Sequence, residues 1–493
     1  MRAPWGTTPV VILGLAALYF LAGKLGLLLA FVHASATAVW PPTGIALAAF
    51  LLLGYRVWPG IFLGAFLVNF TTAGSVATTI GIATGNTLEG LASAYLVNRF
   101  AHGAQAFDRP QDVFKFAVLA ALASTTVSPF FGVTSLALGG YADWAEYGRI
   151  WLTWWLGDAG GALIVAPVLL LWGQDPRVRW ILAQVKEVVL LLVVLLLVGL
   201  AVFGGVLPIT IETYPLGFLC IPVLVWTAFR FGPRETATAM LLLSGIAIWG
   251  TLSGFGPFAR ETQNVSLLLL QSFMGVIAVM TLALAAGVSE RRRAEQARVY
   301  LAAIVDFSED AIIGKTLEGI VVSWNRGAER IFGYAAEEVL GRPITMLIPA
   351  NRLDEEPTII ARIRGGERIE HFETVRRRKD GREVGVSLTI SPIKNETGKI
   401  IGISKIARNI TERQRAKAER ERLLSELVDA LTQVKTLHGL LPICASCKKI
   451  RTDEGYWESI ETYIQQHSEA SFTHGICPVC MEKLYGRKQP SEN

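Results

Sequence analysis

Charged side chains are scarce in this 493-residue chain up to Val288 and crowd the rest of it. That unevenness excludes a uniformly soluble globule and divides the chain into an apolar half and a polar half, with a mean hydropathy of +0.43 overall. Histidine (6) and cysteine (5) are both few, so most of the length holds neither a disulfide framework nor a histidine-rich centre. No glycine-rich nucleotide box occurs, and no cyclase signature. After Thr411 only 82 residues follow, less than half of what a histidine-kinase core needs. His438, in "KTLHGLLPIC", lacks the acidic neighbour expected of a phosphoacceptor. The formal charge of +5 does not point to nucleic acid, because many basic residues flank apolar spans. The first apolar run, Val10 to Phe31, is too long for a cleaved signal peptide and has no small-residue cleavage pattern.

What is there instead is a series of apolar spans. A bilayer core of about 30 Å needs roughly 20 apolar residues per helix. Ten candidates satisfy or approach this: about 10–31, 38–54, 57–73, 76–98, 112–138, 150–172, 187–207, 214–230, 236–253 and 266–288, with eight as the fallback count because four are short. With ten spans, Arg2, Arg56, Arg99, Arg109, Lys115, Arg177, Arg179, Lys186, Arg230, Arg234 and Arg291 to Arg293 share one side, whereas the other holds only Arg149 and Arg260. Positive charge marks the cytoplasmic face. The expectation is a multi-pass protein of the cell inner membrane with both termini cytoplasmic.

Ionisable groups inside apolar spans mark functional sites by default. Three qualify: Lys24, Glu89 and Asp158. Counting from the expected span ends puts Lys24 and Asp158 roughly 10–12 Å deep and Glu89 roughly 8 Å deeper, which favours a Lys24–Asp158 pair, either structural or lining a ligand or ion site. Asn69 and Asn86 suit interhelical hydrogen bonds, and prolines 41, 42, 59, 129, 167 and 222 are expected to kink or end helices. The stretches "VWPPTGIALAAFLLLGYRVWPGIFLGAFLVN", "GNTLEGLASAYLV" and "WWLGDAGGALIVAPVLLL" resemble the bacterial membrane-associated sensor domain (MASE) of the first described type, over about residues 10–290. The resemblance implies an integral membrane input module and leaves its ligand unassigned.

Beyond a short linker, residues 291–299, the pattern turns to short alternating strands and helices. "AIIGKTLEGIVVSWN" reads as two strands joined at Glu318-Gly319, "RGAERIFGY" and "AAEEVLG" as helices stopped by Gly333 and Gly341, and "HFETVRRRKDGREVGVSLTISPI" as a hairpin turning on Asp380-Gly381. With "KIIGISKIARNIT" the strands total five. Residues 300–411 resemble a PAS domain of the sensor-box type, carried by Trp324, Asn325, Phe332, Gly333, Tyr334, Gly341, Arg378, Asp380, Gly381 and the closing "RNITER". The resemblance implies that Trp324, Asn325, Asn409 and Thr411 take part in signal transfer. Asn409 stands where the usual triplet has Asp, which removes a charged partner for a basic neighbour. No cysteine lies between Val299 and Thr411, and "ANRLDEEPTIIARI" has no histidine, so neither flavin nor haem is expected. His371 reads as a half-exposed surface residue.

Residues 412–441 form a charged helix with two apolar seams, Leu424, Leu427, Leu431, Val434, His438, Leu441 and Leu423, Leu427, Ala430, Val434, Leu437, Leu441. They suit a parallel coiled coil, and hence a homodimer, or a broad amphipathic face. In 442–487, Cys444, Cys447, Cys477 and Cys480 make two C-x2-C pairs. In a reducing compartment such pairs point to tetrahedral zinc, with a redox dithiol as the other reading. Trp457, Ile460 and Ile464 are expected to line one helix between them as a miniature core. Cys220, alone in a span, reads as a buried apolar residue. The chain is thus expected to be multi-domain: a polytopic helical membrane sensor, an α+β PAS domain, a coiled-coil helix and a zinc-knuckle-like module. It would pass a signal to cytosolic signalling proteins by contact. A transporter with a regulatory tail and a phosphorelay component are the alternatives.

Overall fold

The computed structural model describes residues 8–28, 30–33, 36–37, 39–72, 75–177, 182–205, 216–433 and 440–486. The chain divides into two compact units, Met1–Val299 and Tyr300–Asn493.

The first unit is helical, and helices occupy all ten expected positions. Six are long and apolar enough to cross a membrane: Pro9–Leu27, Pro110–Leu138, Trp144–Gln174, Gln184–Phe203, Pro233–Leu252 and Gln263–Asp306. Pro41–Leu53 and Leu216–Arg230 are shorter apolar helices. Trp58–Phe70 has 13 residues, about 20 Å of rise and short of a bilayer core. Val76–Phe100 has the length, at 25 residues, but carries a polar face. The first span ends sooner than expected, because β1 (Ala30–His33) turns back on β2 (Ala36–Thr37) as an antiparallel ribbon.

Pro41 and Pro42, Pro59 and Pro222 sit in first turns, where a missing N–H costs nothing, whereas Pro167 lies inside Trp144–Gln174, just after the π-helical turn Gly161–Val165. Pro129 likewise follows a stretch of wide π-helical and tight 3-10 turns over Ala117–Thr126. Lipid-type side chains cover the outside: Leu13, Leu197, Val276 and Met280 are all more than half exposed. The interior closes on small residues and aromatic rings such as Tyr19, Phe50, Phe107 and Phe116. Cys220 is buried, as expected.

In the second unit a five-stranded antiparallel sheet runs in the order β4-β3-β7-β6-β5. Its strands are β3 (Ala311–Lys315), β4 (Val321–Trp324), β5 (Ile369–Arg377), β6 (Glu383–Lys394) and β7 (Ile400–Asn409). The turn residues fall where the sequence places them: Gly333 ends its helix at φ 81° and Gly381 turns the hairpin at φ 81°, left-handed values that a side chain resists. Alternation buries Ile313, Val386, Leu388, Ile390 and Ile403 on one face, covered by helices Arg326–Phe332 and Glu355–Arg364.

A helix follows over Thr411–Gln433. Leu423, Leu424, Leu427 and Leu431 are each at least half exposed along it. Val434, Leu437 and His438 of the two seams lie outside the described residues. Nearer the end, Trp457 is on a two-residue strand with Glu458, not on the helix, which starts at Ile460 under a Ser459 cap. The expected stripe of Trp457, Ile460 and Ile464 therefore does not form on one element. Ile450 is the buried apolar side chain of this segment.

Candidate functional site: an acid pair among membrane helices

Helix Val76–Phe100 turns Asn86, Glu89 and Ser93 to its buried face, a spacing of three and four that keeps them on one stripe. Helix Trp144–Gln174 brings Asp158 opposite, at a point where glycine permits close backbone contact. A Cβ on Gly161 would lie 2.0 Å from the Trp40 carbonyl oxygen, and one on Gly44 would lie 2.5 Å from that of Gly161. Trp40 N–H donates to the Gly157 carbonyl at 2.9 Å. A wide π-helical turn over Gly161–Val165 begins three residues after Asp158, a local distortion that recurs at functional sites.

Around the two acids the polar groups come from five helices. Thr43 Oγ1 donates to Asp158 Oδ1 at 2.8 Å. Trp154 Nε1 donates to Ser128 Oγ at 3.1 Å, and Ser128 Oγ donates to Asn86 Oδ1 at 2.6 Å. Tyr19 stands beside Trp40, Asn86 and both acids. Glu89 is 1% and Asp158 0% exposed. The two carboxyls are close enough to interact, with Thr43 and Ser128 near both. Yet both oxygens of Glu89, as well as Asp158 Oδ2, make no hydrogen bond of good geometry, and neither acid has a basic partner in an ion pair among the described residues. Two carboxylates cannot both stay charged in so dry a place. The arrangement can hold a proton or a small cation between its oxygens.

Lys24 is not their partner. Its Nζ donates to the Thr71 carbonyl at 3.0 Å and Thr72 Oγ1 at 2.9 Å. The expected Lys24–Asp158 pairing is corrected by helix length. The first helix ends at Leu27, so Lys24 lies about 5 Å from that end. The other helix starts at Trp144, setting Asp158 about 21 Å in, level with Glu89 at about 20 Å from Val76. Asn86 does bond between helices, whereas Asn69 Nδ2 donates to Ala65 O of its own helix at 2.8 Å. Thr43, Ser128 and Trp154 carry no sequence signal beyond polarity or size inside a span.

In the sheet domain, Asn325 is the central tie. Its Oδ1 accepts from Ala328 N at 2.9 Å and Ile312 N at 2.8 Å; its Nδ2 donates to Val305 O at 2.7 Å and Asp310 O at 3.1 Å. Trp324 Nε1 donates to Tyr334 O at 3.1 Å. At the exit, Asn409 Oδ1 accepts from Thr411 N at 3.0 Å. The basic neighbour Arg408 finds its carboxylate in Asp310 instead, with contacts of 2.7–3.2 Å. That clamp ties the last strand to the start of the domain without an acid at 409. His371 is exposed at a bulge, with φ 54°.

The inner face of the sheet also carries charges that the sequence reading missed. Lys315, Arg376 and Lys405 are all buried. Lys315 contacts Glu356, and Arg376 Nη2 lies 2.8 Å from Glu355 Oε2. Glu355 also accepts from Thr374 Oγ1 at 2.8 Å. Each cation sits on the inward phase of its strand, alongside Ile313, Thr374 and Ile403. Strict alternation was the signal that could have found them.

The four closing cysteines stay as two separate pairs. Backbone amides of Cys447 and Ser446 hold the Cys444 thiol below its usual value, and that of Cys480 does so for Cys477. No three of His, Cys, Asp and Glu gather as metal ligands among the described residues. The donor set fits zinc in kind, but the described arrangement does not yet collect it.

A multi-pass helical membrane module joined to a PAS-type sheet domain is the class these features define. The MASE1 family model matches residues 10–292, more than half of the chain, and the chain belongs to that family; a PAS domain model matches residues 309–412. The chain is 22% identical over 404 residues to "Probable diguanylate cyclase DgcE" of Escherichia coli strain K12, covering 79% of this chain and 35% of that protein. It is 33% identical over 130 residues to "Signal transduction histidine-protein kinase AtoS" of the same organism, 25% of this chain and 21% of that one. A solved PAS domain from Colwellia psychrerythraea is 26% identical, covers 24% of this chain and 98% of its own, and has a TM-score of 0.23.

Proposed function

We propose that this protein is an inner-membrane signal-transduction sensor in which the Glu89–Asp158 pair is the input centre and the PAS domain hands the signal to cytosolic partners. The observation behind this reading is the uncompensated acid pair, dry and ringed by Thr43, Asn86 and Ser128. A centre of that kind changes charge when a proton or small cation enters or leaves, and charge buried in hydrocarbon is costly enough to shift helix packing. Continuity of helix Gln263–Asp306 from the last span to Asp306, where Asn325 bonds Val305, supplies a mechanical route. Both termini lie in the cytoplasm in this reading, and the exposed leucines of Thr411–Gln433 pair two copies.

The same acid pair also suits ion transport, with the tail regulating it. Purified full-length protein in nanodiscs distinguishes the two. Hydrogen exchange over residues 300–411 should respond to pH or sodium, and the response should vanish in the Glu89→Gln/Asp158→Asn double variant. Unchanged exchange across pH 5.5–8.5 with and without sodium, together with cation uptake by vesicles, makes the protein a transporter.

The closing cysteines bind one zinc per chain in this reading, the metal drawing the two pairs together. Elemental analysis of the full chain should find about one equivalent, lost in Cys444→Ser and Cys477→Ser. Zinc content that is unaffected by both substitutions places the metal elsewhere.

A further inference from the structure

Basic side chains crowd one end of the membrane unit, and the fold gathers five of them round one hollow. A cavity of about 540 Å³ opens where helices Trp144–Gln174 and Leu216–Arg230 end and helices Gln184–Phe203 and Pro233–Leu252 begin. Its size falls in the range of roughly 300–1,000 Å³ that small-molecule sites occupy. Arg177, Arg230, Arg234, Arg292 and Arg293 line it, against Asp108, Asp175 and Glu235. The last two arginines stand on helix Gln263–Asp306, just where its side chains become exposed, at Glu290 and beyond.

These arginines differ in what they hold. Arg293 pairs with Asp108 at 3.0 Å and Arg234 with Glu235 at 2.7 Å, while Arg230 takes Glu187, which is not part of the lining, at 2.6 Å. Arg177 and Arg292 have no carboxylate partner among the described residues. Arg292 instead gives N–H groups to the Phe229 and Arg230 carbonyls that close helix Leu216–Arg230, a cap that suits its charge. Its Nε stays unused among the described residues. Asp175 is turned to the backbone, its Oδ1 accepting from Arg177 N at 3.3 Å. Even counting Glu187, five guanidinium groups face four carboxylates. One wall is firmly held: Arg234 Nη1 donates to Asp175 O at 2.9 Å and Arg177 O at 3.1 Å, and its guanidinium lies 4.6 Å from the centre of the Trp172 ring. Helix Pro233–Leu252 starts in the same wall with no side-chain cap, so its first amides add to the positive lining.

We propose that this cavity binds a phosphate group, either the headgroup of an anionic lipid or free phosphate, with Arg177 and Arg292 as its unpaired cations. A guanidinium fork matches two phosphate oxygens at once. One surplus positive charge is what a phosphodiester balances. The cavity lies where apolar helices end, which is the level of lipid headgroups, so a lipid reaches it from the side and free phosphate from the water. A phosphate held there ties Arg292 to the segment Asp175–Arg177. It therefore fastens helix Gln263–Asp306 to the bundle just before its exposed stretch. The Glu89–Asp158 pair plays no part in this site.

Two measurements on the full-length protein test it. Native mass spectrometry of protein released from nanodiscs of mixed phosphatidylcholine and phosphatidylglycerol should find about one phosphatidylglycerol retained per chain if a lipid is the source. Equilibrium dialysis of radiolabelled phosphate against protein in phosphatidylcholine nanodiscs should show saturable binding if free phosphate is. In either arm Arg177→Gln/Arg292→Gln should weaken binding about tenfold or more, and Arg177→Lys/Arg292→Lys should keep most of it. The same loss of charge outside the cavity, Arg56→Gln/Arg99→Gln, should leave it intact, as should Glu89→Gln. Occupancy should also slow hydrogen exchange over residues 289–299. Retained exchange protection of helix Pro233–Leu252 shows that the double variant is folded. Failure to hold either probe overturns the proposal. So does equal binding by the folded Arg177→Gln/Arg292→Gln variant, or an equal loss in Arg56→Gln/Arg99→Gln.

Discussion

The two halves of this molecule bury charge in opposite ways. Among the membrane helices, Glu89 and Asp158 stand together with no basic partner in an ion pair among the described residues, while Lys24, close to the helix end, takes a carbonyl and a hydroxyl instead. In the sheet domain three cations face two carboxylates. Each imbalance is one charge in size if the membrane acids share a proton. Buried charge is retained at a cost to stability, and the two halves carry that cost with opposite sign.

The comparison can be broken at several points. The largest effect belongs to the sheet cluster: Lys315→Met strands Glu356 in the core and should destabilise the domain by about 3–5 kcal/mol, measured by denaturant melting of the full chain followed by hydrogen exchange over β3. A loss below about 1 kcal/mol would show that Glu356 is not truly desolvated. Asn325→Ala removes a helix cap and leaves buried backbone groups unmatched. It should cost about 2–3 kcal/mol and raise exchange at residues 305–312 first.

Smaller, and specific in sign, is the pH dependence. Lys405 in the folded domain loses its proton near 7, below its unfolded value. Between these values the unfolded state binds the extra proton, so stability rises with pH above about 7, by up to about 1.4 kcal/mol per unit. The gain is absent in Lys405→Met. A domain whose melting is flat from pH 7 to 9 contradicts the assignment. The smallest effect should come from Lys24→Met, about 1 kcal/mol, because it loses two partly exposed hydrogen bonds, to Thr71 O and Thr72 Oγ1. If that substitution instead collapses the membrane unit, Lys24 supports Asp158 after all.

Much of this was legible in order and type. The ten helical positions, the five strands, the turns at Gly333 and Gly381 and the importance of Asn325 follow from apolar run length, alternation and turn chemistry. These signals are local and survive folding. The partner of Asp158 was not legible, because depth depends on where helices begin and end. A ribbon at Ala30 and a helix starting at Trp144 moved two residues by enough to exchange partners. Asn69 was read as an interhelical donor, yet its amide turned back to its own helix. Which polar group faces across a span and which along it is decided by the neighbour's distance.

By itself the sequence determined that an apolar multi-pass half precedes an alternating soluble half, that Glu89 and Asp158 are buried in the first, and that two cysteine pairs close the chain. Composition and period suffice for such statements, since hydrophobic burial and backbone pairing act on every residue alike. Only the tertiary structure decided that Glu89 and Asp158 meet, that Thr43 and Ser128 attend them, and that Lys315, Arg376 and Lys405 converge from three strands onto one short stretch of helix. Those groups are distant in the chain, and charge interacts through space, so their meeting is set by how helices and strands pack.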